Sequence, residues 1–149
     1  MATVYEQVQE FIKKHPGTLV CKRRLKKHAE VIEKHLNPGE IVNYAFCAQK
    51  NSKSSEIFET CVVALTNDRL LVAQKRVLFG YFFSTVTPDL YNDLKVHSNL
   101  IWGKIIIDTA KEKIFLSNLS KDALDDIETE ITNFMMKEKK EYQIENSKK

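Results

Sequence analysis

Residues 58–73 read Phe58-Glu59-Thr60-Cys61-Val62-Val63-Ala64-Leu65-Thr66-Asn67-Asp68-Arg69-Leu70-Leu71-Val72-Ala73. The first half is β-branched and apolar on both parities towards its end, the pattern of a strand buried on two faces. Thr66-Asn67-Asp68-Arg69 is turn chemistry, because Asn and Asp side chains bond their own backbone and tolerate turn geometry. Residues 70–73 then return as a second strand. The unit is an apolar hairpin around a polar turn, and it sets the period for what flanks it.

Working outward, a period of 2 extends over about residues 41–116. Val42, Tyr44, Phe46 and Ala48 alternate with Asn43, Ala45, Cys47 and Gln49, as in a strand with one buried face. Further strands are expected at 78–86, closed by Pro88, at 94–100, at 102–109 and at 113–116, making seven in all. On either side the period changes to 3.6. Residues 3–15 open with Thr3 and Glu6 at capping-box spacing and carry Val4, Tyr5, Val8, Phe11 and Ile12 on one stripe before Pro16-Gly17. A second helix is expected over 22–36, with Leu25, Ala29, Ile32 and Leu36 on one face, stopped by Asn37-Pro38-Gly39. A last helix over about 120–136 has Ser120 as N-cap, a Leu119–Leu124 staple, and a buried stripe of Leu124, Ile127, Ile131 and Phe134. Asp122, Asp125 and Asp126 at its start suit the helix dipole. Beyond residue 136 the chain is charged and without apolar period, and is expected to fray.

The residues that follow this order resemble the bacterial, YokE-like pleckstrin-homology domains. Leu65-Thr66-Asn67-Asp68-Arg69-Leu70-Leu71 is similar to their strand–turn–strand signature. So is the spacing through Leu78-Phe79-Gly80 and Pro88-Asp89-Leu90-Tyr91 to Leu100-Ile101-Trp102-Gly103-Lys104-Ile105, with His35-Leu36-Asn37-Pro38-Gly39-Glu40-Ile41-Val42 as lead-in. The resemblance covers about residues 25–134. It implies an α+β, mainly β fold: a seven-stranded, partly open barrel or orthogonal sandwich capped by a C-terminal helix, here with an N-terminal helical extension. The expected division is a helical extension at 1–37, the PH-like domain at 38–136 and a charged, disordered tail at 137–149.

Composition excludes several function classes. The chain has 149 residues and a net charge of +3, too mild by itself to name a nucleic acid or a membrane as partner. The charge is uneven, since residues 1–40 hold eight basic and five acidic side chains while 119–149 hold six and eight. Cys21, Cys47 and Cys61 form no C-x-x-C pair, so no disulfide framework or thiolate zinc site is expected. Without a basic-then-apolar leader or a 20-residue apolar run, a cytoplasmic protein is expected. Gly17, Gly39, Gly80 and Gly103 lie too far apart for a phosphate-cradling loop. Cys21, His28 and His35 recur every seven residues, roughly 10 Å per step on a helix, too far apart to share one metal ion. No hydrolase, zincin or deaminase motif occurs. The expectation is therefore a non-catalytic protein with no cofactor and no metal.

Three features are candidates for binding. The run Lys22, Arg23, Arg24, Lys26, Lys27 forms a basic patch suited to phosphates, or else a solvated helix face; the absence of interleaved aromatics counts against single-stranded nucleic acid. In phosphoinositide-binding relatives a basic cluster lies in the first two strands and their loop; the resemblance places Lys50 and Lys53 there, with Lys75 and Arg76 at the third-strand exit. No K-x-R pair is present, which argues against a specific inositol phosphate site. The run Val77-Leu78-Phe79-Gly80-Tyr81-Phe82-Phe83 is read as a strand with one outward parity, so that part of Phe79, Tyr81, Phe82 and Phe83 is left as an interaction surface. The leading expectation is a module that binds protein or peptide or its own copies. A peripheral binder of anionic membrane through the basic helices and loops is the alternative, and nucleic-acid binding through residues 22–27 is weaker.

Overall fold

The computed structural model describes residues 2–51 and 59–148. The chain runs α1 (Val4–Lys14), a short 3-10 turn (Lys22–Arg24), α2 (Leu25–His35), then β1 (Val42–Gln49), β2 (Thr60–Thr66), β3 (Leu70–Lys75), β4 (Tyr81–Val86), β5 (Tyr91–Ser98), β6 (Gly103–Thr109) and β7 (Lys113–Leu119). A second 3-10 turn (Lys121–Ala123) leads into α3 (Leu124–Ser147). The strands form one antiparallel sheet in the order β4-β3-β2-β1-β7-β6-β5, which does not close. β1 and β7 meet at Gln49 and Ser117 and join the two halves. Ser84 Oγ donates to Glu112 Oε1 at 3.2 Å, so a side-chain bond bridges the seam between β4 and the β6–β7 turn.

β2 and the first four residues of β3 are buried throughout, as their unbroken apolar runs require. β1 differs from the one-sided strand expected of it, because all residues from Ala45 to Gln49 are buried. The cause is α1, whose Val8 and Phe11 join the same core cluster as Phe46; Phe11 and Phe46 have ring centroids 5.7 Å apart. The N-terminal helices thus belong to the single core. Thr3 Oγ1 accepts from Glu6 N and caps α1, while Val4 N donates to Glu33 Oε1 of α2 at 2.7 Å. Leu19 N donates to Asn118 O and Ser120 N donates to Thr18 Oγ1, tying the α1–α2 connection to the end of β7.

The signature turn is an architectural joint. Thr66 Oγ1 accepts from Asp68 N and Arg69 N. Asn67 Oδ1 accepts from Ile41 N at 2.9 Å, fixing the entry to β1. Arg69 reaches back to Glu40 with Nε–Oε2 at 2.9 Å and Nη2–Oε1 at 3.0 Å, and Nη2 also donates to His35 O at the end of α2. The Glu40 side chain is wholly enclosed, and the Arg69 guanidinium holds its carboxyl down at about 2.

α3 closes the core with Leu124, Ile127, Ile131 and Met135. Met135 takes the last buried place; Phe134, expected there, is only partly buried. Each fully buried side chain contributes about 1.5–3 kcal/mol before entropy is subtracted. Gly103 gives α3 close approach to β6, since a Cβ there would lie 2.5 Å from the Leu124 methyls and force that side chain to shift. Ser120 does not cap the helix with its side chain, which bonds Asp122 instead. The charged stretch at 137–147, expected to fray, continues α3 to Ser147. Lys and Glu are good helix formers, and the ordered turns before them remove the nucleation cost. None of its described side chains is buried.

Candidate binding surface

β3 ends at Lys75 and β4 begins at Tyr81, opposite each other in register. The link between them is a loop, not the strand expected from residue 78. Arg76 N donates to Gly80 O, and Gly80 adopts φ +70, a conformation open to glycine without strain. Period-2 reading runs through such a glycine and assigns alternate faces, whereas the structure leaves Val77, Leu78 and Phe79 exposed together at 77%, 83% and 86%.

Below the tip the aromatic residues are used differently. Tyr81 is half exposed. His35 Nδ1 lies 2.7 Å from Val31 O, so that nitrogen carries a proton and donates, while Nε2 lies 3.1 Å from the Tyr81 hydroxyl. Phe83 stacks on the His35 ring at 4.2 Å. Phe82 lies beneath Lys50 Nζ at 4.1 Å. Of the four aromatics read from the sequence as an interaction surface, Phe79 and Tyr81 face solvent and Phe82 and Phe83 pack against the core.

α2 is fastened to this hairpin. Arg24 Nη2 donates to Lys75 O at 3.3 Å and Arg76 O at 3.1 Å, and Lys75 N donates to His28 Nδ1 at 2.8 Å. Burial and the neighbouring Arg24 push the His28 imidazole down to about 4, so it is the neutral acceptor this bond needs. Two grooves result. One, of about 340 Å³, is lined by Arg24, His28, Lys50, Glu59, Lys75 and Arg76. The other, of about 300 Å³, has Lys27, Glu30, Lys34, His35, Lys75 and Tyr81 on its walls. Lys50 also faces Glu59 at 3.9 Å.

Two features that are separate in sequence thus meet. Lys50, Lys75 and Arg76 share a wall with Arg24, and Lys75 shares another with Lys27. Lys22, Arg23 and Lys26 are exposed on the 3-10 turn and the first turn of α2. Lys53 lies outside the described residues. The signal joining the patches, a guanidinium on two carbonyls 51 and 52 residues away, has no local trace in the sequence.

A larger groove of about 920 Å³ lies along α1, with Glu10, Lys13, Lys14, His15, Tyr44 and Asp126 on its walls. Several of its charges are paired internally. His15 is buried with Nδ1 3.2 Å from Asp122 and Nε2 3.1 Å from Asp126, and Lys14 Nζ lies 2.9 Å from Asp126. Asp126 is held below its ordinary value by Lys14 and His15, and Asp122 by Ser120 and His15. These aspartates, read from sequence as a dipole cap, also bolt α1 to α3. Among the described residues no group of three or more His, Cys, Asp or Glu is placed to hold a metal ion, and no helix is long and apolar enough to cross a membrane.

The sequence model described as bacterial PH domain matches residues 36–133. No curated protein matches significantly. Two solved structures are similar in fold. One, a pleckstrin homology domain from Shewanella amazonensis SB2B, aligns with TM-score 0.50 at 13% identity over 84% of this chain and 98% of that one. The other, a protein with a pleckstrin-homology domain from Shewanella loihica PV-4, gives 0.47 at 16% identity over 74% and 96%.

Proposed function

Because the chain belongs to the bacterial PH domain family, whose fold commonly serves as an interaction module, we propose that it is a non-catalytic module that docks on anionic membrane surface through the β3–β4 hairpin and α2. One observation carries this: Arg24, Lys27, Lys50, Lys75 and Arg76 line adjoining grooves around the hairpin stem, with Glu30 and Glu59 as the acidic side chains on the same walls. Cations spread over several elements suit a charged plane better than a single phosphate, which needs several donors converging on one point. This surface favours the membrane over the peptide expected from sequence.

Vesicle co-sedimentation tests it. The protein is expected to pellet with phosphatidylcholine vesicles containing 30 mol% phosphatidylserine, to stay in solution with phosphatidylcholine alone, and to bind more weakly as salt rises. K27E/R76E, two exposed side chains, is expected to weaken binding at least about tenfold, since each basic residue near such a surface contributes about 1 kcal/mol. Equal pelleting with neutral and anionic vesicles, or none with either, removes the proposal.

A further inference from the structure

Val77, Leu78 and Phe79 are among the most exposed large apolar side chains described. They fill the tip of a loop closed by Arg76 and Gly80, where small or polar turn residues would serve the backbone equally well. None of the three belongs to the core cluster, so the stability of the fold gives no reason for them. A contiguous exposed apolar tip calls for a partner.

We propose that these three residues form a wedge that enters the acyl boundary of an anionic bilayer, so that the module favours fluid membrane with loosely packed headgroups over a charged surface as such. This rests on the anionic-surface reading above and adds the mode of engagement. The dimensions agree. A loop two residues deep on each arm stands about 7 Å beyond its stem, and interfacial apolar groups bury about 5–10 Å into the headgroup and acyl boundary. The cations lie behind the tip: Arg76 begins the loop, Lys75 ends β3, and Arg24 is bonded to the carbonyls of both. With the tip inserted, these groups come to the level of the phosphates. A second copy fits less well, because a two-fold contact through the tip would bring the same cations face to face. The other apolar tip, Leu100 and Ile101, follows β5 and leaves the opposite end of its strands in this antiparallel order, so it is a separate tip from the hairpin.

The test compares the parent protein with L78S/F79S, which removes no buried side chain and is expected to leave the circular dichroism spectrum and thermal midpoint unchanged. On the same anionic vesicles the variant is expected to bind at least about tenfold more weakly and to lose the salt-resistant part of binding. Injected under an anionic lipid monolayer, the parent is expected to raise the surface pressure and the variant to leave it level. If both sediment equally and neither raises the pressure, the wedge is overturned while electrostatic docking stands. If neither sediments, docking itself fails and the wedge with it. If light scattering shows the parent assembling with concentration, the variant monomeric, and no pressure rise with either, a second copy covers the tip and the wedge is overturned.

Discussion

Arg69 stands in the β2–β3 turn, and its guanidinium joins that turn to the end of α2 and the approach to β1. Removing it leaves Glu40 charged, enclosed and unpaired, which costs about 3 kcal/mol or more. Arg69→Met is therefore expected to lower the urea midpoint strongly at pH 7. The pair also sets an acid limit. Glu40 titrates near 2 in the folded chain against an ordinary 4.5, so its contribution is complete above about 4.5 and is lost as pH falls towards 2. The parent is expected to weaken over that window, with Arg69→Met losing the Glu40 share of the slope. Thr66-Asn67-Asp68-Arg69 was readable as a turn because its hydrogen bonds are local. That the same turn recruits Glu40, 29 residues away, follows only from tertiary geometry.

Between elements, the docking of α2 on β3 turns on His28. Its Nδ1 accepts the Lys75 amide and its imidazole titrates near 4 against an ordinary 6.5. The unfolded chain binds this proton before the folded one does, so the contribution is complete above about 6.5 and falls away as pH drops towards 4. His28→Asn keeps an acceptor of similar reach and removes the titration. Its unfolding free energy is expected to change less than the parent's between pH 6.5 and 4.5, above the Glu40 window; parallel pH profiles would show that His28 does not couple docking to protonation. The helical stripes of Leu25, Ala29 and Ile32 and of Ile127 and Ile131 were plain from their 3.6 period. The limits of β4 were not, because Gly80 turns the chain where the alternation of side chains carries on.

Over the whole molecule, the family match and the folding unit differ in extent. Residues 36–133 omit Val8 and Ile32, both fully buried, and end before Met135. A fragment of those residues is expected to lack a sharp thermal transition and the dispersed amide spectrum of the full chain. Cooperative unfolding of the fragment would instead mark α1 and α2 as an appendage, the division expected from sequence. The seven-strand order and closing helix could be read from period and turn chemistry; the shared core could not, since α1 meets β1 across some 35 residues of chain. The place of the indole decides how this molecule can be watched. Its single tryptophan, Trp102, sits in the β5–β6 turn, where Asn99 Oδ1 accepts its amide at 2.8 Å. The antiparallel order takes that turn off the opposite end of its strands from the β3–β4 loop, and Trp102 is on the wall of neither hairpin groove. The native indole is therefore placed to report unfolding, whereas its emission reads contacts made at the hairpin only indirectly.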